Sequence, residues 1–332
     1  MPGNHKFIPC SICSKVKRSD NMKRHLRSHS SQGSGVDLPP TGELHDELPT
    51  GASHVTDKYT WRDKGVIRNH SPLLPRDIRG ILIGKSGVGK TTLLAHLLLE
   101  PNVLDYDTLT VCGKSLHQPE YRVMRSAFDK NLSKSQVANL FEYQDGLDEY
   151  GDIDGFLEQY DGDCKGGIEA VFNDDINTIP DPSELDPERK NLIIFDDIML
   201  GPQSTPEKYY TRGRHNGVDV FYIAQSYFPL PRSTVRENAN IFFFFKQDNK
   251  NLAHIFQDHC AVDGIPLEMF RNFCNTVWNE DRHNFVTIDS TRPTNNGKYR
   301  KNLSEFWTPP GYQDGENVQE SEIPEVQKSK SL

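Results

Sequence analysis

The sequence predicts an α/β fold: a mainly parallel sheet of short buried strands with helices between them, preceded by a small ββα unit. Three observations predict it. From about Tyr59 onward, short apolar runs alternate with amphipathic stretches, the pattern of strands joined by crossover helices. One of those runs feeds a glycine-studded turn, GILIGKSGVGKTTLL at 80–94, which opens directly into another apolar stretch. Two cysteines and two histidines also stand in order ahead of residue 30.

The strand runs are 80–83, 109–112, 191–195, 218–224 and 241–246, each short, apolar and punctuated as buried parallel strands are. Helices are predicted over 91–99, 120–127, 135–140 and 206–212. Residues 1–30 form the Cys/His unit. Residues 31–57 are rich in Gly, Pro, Ser and acids and read as a flexible linker. A nucleotide-binding domain is expected over 58–309. It is interrupted at 145–163 by an excursion with eight acids and no base, and followed by a polar, disordered tail over 310–332.

Composition narrows the classes. With 26% charged and 35% hydrophobic residues and a mean hydropathy of -0.66, the chain predicts ordered parts joined to long polar segments. No apolar run approaches a membrane span, and the N-terminus lacks the apolar core of a signal peptide. Six cysteines in 332 residues do not make a disulfide framework, so an intracellular, reducing location is expected, in a host nucleus or cytoplasm or with a virion. Of the net charge of -9, residues 1–30 hold +6 (seven Lys/Arg, one acid), which leaves -15 for the rest. A basic head on an acidic body suggests that the head meets a polyanion.

Gly84-Lys85-Ser86-Gly87-Val88-Gly89-Lys90-Thr91 fits G-x-x-x-x-G-K-[ST] in full, with Thr92 behind it. The glycines let successive N–H groups curl toward phosphate oxygens, and the following helix adds its positive end. Lys90 is assigned to the β- and γ-phosphates of ATP, Thr91 to magnesium. A second element must hold the metal. NLIIFDDIML supplies it, a buried strand delivering Asp196, for magnesium through water, and Asp197, the base that polarises the attacking water. The next strand ends in Gln225, a candidate γ-phosphate sensor. Together these are the marks of a P-loop NTPase of the RecA-like (ASCE) kind, in which a strand separates the phosphate-loop strand from the acid strand.

The phosphate loop, IIFDD and YYTRGRHNGVDVFYIAQSYFPLPRSTVRENANIFFFFKQ together resemble the FtsK–HerA group of ring ATPases. Within it they are most similar to the genome-packaging ATPases of poxvirus-like and giant viruses, adintoviruses and Polinton/Maverick elements. The likeness covers roughly residues 70–260 and is most specific at 209–247. It implies a homohexameric ring that translocates double-stranded DNA with ATP, capsid or portal proteins as candidate partners, and an arginine finger supplied in trans. Arg214 and Arg212 are the finger candidates, with Arg232 and Arg236 in reserve. A replicative helicase and a nucleotide-switched DNA-binding regulator stay open as alternatives. Gln225 speaks against the helicase, where Asn is the commoner sensor.

Cys10-x2-Cys13, eleven residues, then His25-x3-His29 comes within one residue of the two-Cys, two-His zinc finger spacing. A hairpin would carry the cysteines and a helix the histidines, around Val16 and Met22. Zinc would supply the folding energy so small a core lacks. Counting back from His25, the base-facing positions fall on Arg18, Asn21 and Arg24, which would read GAG. A protein-binding finger or a general DNA clamp remain open beside that reading. Cys112, Cys164, Cys260 and Cys274 lack paired spacing; Cys260 with His259 and His283 is read as a buried thiol with surface histidines rather than a metal site.

Overall fold

The computed structural model describes residues 67–144 and 167–312, together with two short strands near the N-terminus. The chain divides into two units, Met1–Lys64 and Gly65–Leu332. In the first, β1 (Phe7–Pro9) pairs antiparallel with β2 (Val16–Arg18), Phe7 opposite Arg18 and Pro9 opposite Val16. Cys10, Cys13, Asn21, Arg24, His25 and His29 lie outside the described residues, as do the linker, the acidic segment 145–163 and the chain beyond 312.

The second unit is built on one nine-stranded sheet. Its strands are β3 (Arg79–Ile83), β4 (Thr108–Gly113), β5 (Glu169–Asn173), β6 (Asn191–Asp196), β7 (Val218–Ala224), β8 (Ile241–Phe244), β9 (Val286–Asp289), β10 (Tyr299–Lys301) and β11 (Glu305–Trp307). Their order is β11-β10-β9-β8-β3-β7-β6-β4-β5. The run from β8 to β5 is parallel, and β9, β10 and β11 extend it antiparallel. The phosphate-loop strand and the acid strand are thus separated by β7, as the motif class required. Five strands stand within two residues of their predicted bounds. β5 and the antiparallel extension were not foreseen.

Among the described residues, six helices cover the sheet: α1 (Lys90–Leu99), α2 (Pro119–Asp129), α3 (Lys134–Gln144), α4 (Ser204–Arg212), α5 (Asn249–His259) and α6 (Leu267–Glu280). Alternate residues of each central strand face opposite layers. Ile81, Ile193, Tyr222 and Phe242 join the core packed with α4, α5 and α6. Leu82, Ile194, Phe221 and Phe243 join the core packed with α1, α2 and α3. Because both faces are covered, β6, β7 and β8 are buried along their whole length and read as apolar runs broken only by Asn191, Asp196 and Asp219 near strand ends. Each such large side chain contributes about 1.5–3 kcal/mol on burial. The IFFFF of 241–245 is accordingly core, not a surface platform, and Lys246 behind it is exposed.

Two buried carboxylates fix the sheet where apolar packing gives no direction. At the start of β7, Asp219 accepts hydrogen bonds from the Ile78 N–H (2.7 Å) and from His70 Nε2 (3.0 Å), and Arg68 Nε lies 3.3 Å away. His70 Nδ1 accepts from the Asp105 N–H at 3.0 Å, so the ring donates through Nε2. In the antiparallel extension, Asp289 and Arg300 are both fully buried and meet at 2.5 Å. The same guanidinium donates to the carbonyls of Gly297, Leu73 and Leu303. A buried ion pair with its remaining protons satisfied holds register more than it adds stability, but losing one partner strands the other.

Asp289→Ala should therefore lower the free energy of unfolding by about 3–5 kcal/mol. The double variant Asp289→Leu/Arg300→Met should recover most of that loss. Urea unfolding of all three proteins checks this; a cost near ~1 kcal/mol, that of an ordinary hydrogen bond, would contradict it.

Candidate nucleotide site

The end of β3 runs straight into the phosphate loop. Gly87 (φ 74°) and Gly89 (φ 103°) take the left-handed backbone the curl requires. Gly84 is required for another reason: a Cβ there would stand 2.7 Å from Val88 Cγ2 and 2.8 Å from Phe245 Cβ. Helix α1 starts at Lys90 behind Gly89, with no described side chain capping it, so its first N–H groups remain for a ligand. The Lys90 ammonium donates to the carbonyls of Gly84 (2.6 Å) and Lys85 (2.9 Å). Burial holds its pKa below the ordinary lysine value, and Asp196 and Asp197 pull it partly back.

The acid strand delivers the opposite wall. Burial raises the pKa of Asp196, while the Tyr121 hydroxyl, donating to Oδ2 at 2.6 Å, and Lys90 act to lower it. Asp197 is held at φ 52°, a left-handed conformation uncommon outside glycine, with its N–H donating to Ile223 O at 3.1 Å. One residue further along β7, Ala224 O accepts from the Gly84 N–H at 3.1 Å. Gln225 follows, its side chain exposed toward the same space.

These groups converge on one cleft of about 290 Å³. Ser86, Gly87, Gly89, Lys90, Thr91 and Thr92 form its floor, and Asp196, Asp197 and Gln225 stand across from them. Ser115 and Gln118, between β4 and α2, Glu120, in the first turn of α2, and His283, ahead of β9, complete it. Sequence reading missed these four and Tyr121. The Thr91 hydroxyl and the Asp196 carboxylate, whose own charge burial makes costly, offer the hard oxygen donors that magnesium takes. The donor set fits that ion.

The arginines divide. Arg212 ends α4, and Arg214 lies in the short turn Gly213–Asn216; both are exposed. They precede β7, whose seven residues put about 23 Å between them and Gln225. Neither serves the cleft of its own chain. Arg232 is exposed and lies 3.3 Å from Glu237. Arg236 is buried, 3.0 Å from Asp258 and over the Tyr227 ring, which removes it from the finger candidates.

No group of three or more His, Cys, Asp or Glu side chains able to hold a metal occurs among the described residues. Cys112, Cys260 and Cys274 are free and buried; Cys164 lies outside the described residues. His259 is half-buried, 2.6 Å from the Tyr227 hydroxyl, and desolvation lowers its pKa to about 4, so it is not the fully exposed histidine expected. Among the described residues, no helix is long and apolar enough to cross a membrane.

The desolvated Asp196 predicts a pH-dependent cost. Its folded pKa is raised, so ionisation opposes folding once the pH passes the ordinary carboxylate value of about 4. Without nucleotide and metal, Asp196→Asn should melt above the parent protein at pH 7. The difference should close below about pH 3.5, where the parent carboxyl is neutral in both states. Calorimetry at the two pH values checks this, and equal melting at pH 7 would contradict it.

No protein-family model matches the chain, and no curated protein does. Among solved structures, the genome packaging NTPase B204 of Sulfolobus turreted icosahedral virus 2, in complex with AMPPCP, is similar to it. The TM-score is 0.40 at 13% identity, over 65% of this chain and 93% of that one. The sulfate complex of the same protein gives 0.38 at 12%, over 71% of this chain and 100% of that one. VirB4 of Thermoanaerobacter pseudethanolicus gives 0.38 at 11%, over 69% and 94%. At these values the likenesses carry no functional weight.

Proposed function

We propose that this chain binds ATP with magnesium at the phosphate loop, hydrolyses it, and uses the cycle to move double-stranded DNA within a ring of identical copies. The observation that carries the ATPase reading is the convergence of Lys90, Thr91, Asp196, Asp197 and Gln225 on one cleft. The translocase reading rests on the resemblance of 209–247 to ring ATPases, and genome packaging in a virus or virus-derived element is its setting. The basic Cys/His unit, with zinc on Cys10, Cys13, His25 and His29, is assigned a second contact with DNA.

Lys90 gives up its carbonyl partners for the β- and γ-phosphate oxygens, and the loop N–H groups orient the chain of phosphates. Thr91 and Asp196 would hold magnesium, whose charge offsets that of the phosphates. Asp197 accepts the proton of the attacking water, and Gln225 orients that water or reports the γ-phosphate. Charge developing on the equatorial oxygens needs a further cation. Arg214 or Arg212 supplies it from a neighbouring copy, since both lie at the far end of β7 in their own.

Lys90→Ala should lose nucleotide binding. Asp197→Asn should keep it and lose turnover by about 100-fold or more, the scale of a general base. Steady-state ATPase with and without duplex DNA tests the larger claim: stimulation by duplex is expected of a motor, and indifference to it would favour a nucleotide-set switch. Mixed rings test the finger. Arg214→Ala and Asp197→Asn proteins, each inactive, should recover partial activity when combined, because some interfaces then join an intact Arg214 to an intact Asp197. No recovery in rings that exchange subunits would exclude Arg214.

A further inference from the structure

The cleft has two ends, and the sheet order tells them apart. Asp196 ends β6, Asp197 follows it and Gln225 follows β7, all on one side of the phosphate-loop strand β3. They mark where the terminal phosphate and the metal belong. A triphosphate laid along the loop with that end fixed must run its nucleoside toward the other side, over β8 and β9. Because β9 is antiparallel, its first residues stand at the same end of the sheet as the loop. Among the described residues that line the cleft, His283 alone comes from that side.

The ring of His283 is held, not loose. Nδ1 lies 3.1 Å from Val88 O and must donate to it, which leaves Nε2 to accept from Arg282 Nε at 2.8 Å. Its backbone N–H donates to Asp281 Oδ1 at 2.8 Å. Nδ1 stands 3.2 Å from where a Cβ on Gly89 would be, so the imidazole is pressed to the loop itself. With both nitrogens engaged, what this exposed side chain offers a ligand is its face.

We propose that His283 is the nucleobase platform of the site: the base of the bound nucleoside triphosphate stacks on its imidazole, fixed in place by Val88 and Arg282. The proposal rests on the phosphate-loop assignment and adds the part of the ligand that assignment leaves unplaced. Recognition by a ring face gives affinity for any nucleoside triphosphate, without reading the edge of the base.

The test compares ATP with inorganic tripolyphosphate, each with magnesium, by titration calorimetry. The unsubstituted protein should bind ATP more tightly than tripolyphosphate. His283→Ala should weaken ATP about tenfold and leave tripolyphosphate unchanged, and His283→Phe, which keeps a ring face but no ring nitrogen, should restore ATP. Three results would overturn the platform: equal weakening of both ligands in His283→Ala, which would make His283 a prop for the loop; no change in either; or equal binding of ATP and tripolyphosphate by the unsubstituted protein. If the unsubstituted protein binds neither ligand, the phosphate-loop assignment fails first and takes the platform with it.

Discussion

The last two carbonyls of β7 hold the site together. Ala224 O takes the N–H of Gly84, where the phosphate loop begins, and Ile223 O takes the N–H of Asp197, where the acid strand ends. One strand thereby pins both walls of the cleft, two strand spacings, or about 10 Å, apart, and carries Gln225 between them. Everything else in the second unit serves that spacing. Asp219 and Asn240 fix the beginning of β3 from the strands on either side, through the Ile78 and Arg79 N–H groups. The covered faces keep the three strands from slipping, because a one-residue shift would send each side chain to the wrong layer.

What could be read from the sequence was what is local. The phosphate loop spans eight positions and declares itself by glycine spacing between two apolar runs. Asp196 and Asp197 declare themselves by ending another. Tyr121 did not, since its meaning is a hydrogen bond to a carboxylate 75 positions away. His283 touches the loop across 195 positions. β5 is a half-exposed edge strand with acid and amide at its ends, so its apolar signal is faint. The antiparallel extension is short-stranded and held by Arg300 and Asp289, polar residues that pattern reading assigns to the surface.

Buried charge is used here in two ways. Asp219 and Asp289 are surrounded by donors that offset their desolvation. Asp196 and Lys90 face each other across a cleft with fewer partners, both disfavoured by burial in their charged forms. Asp197 adds a left-handed backbone. The cleft thus holds unrelieved electrostatic cost, and a phosphate chain with its cation would relieve it. Such a ligand would bind the folded state and add to its stability by mass action.

The position of β3 in the middle of the sheet also sets the order in which the molecule can be made. Its hydrogen-bonding partners are 220–224 and 241–244, so this apolar strand leaves the ribosome with nothing to pair with. At about 5–20 residues per second, β7 follows about seven to thirty seconds later. Until then α1 can cover one face of β3 but neither of its edges. The nascent chain is most open to mispairing during that interval, and the phosphate loop, which depends on Ala224, takes its final shape only after it.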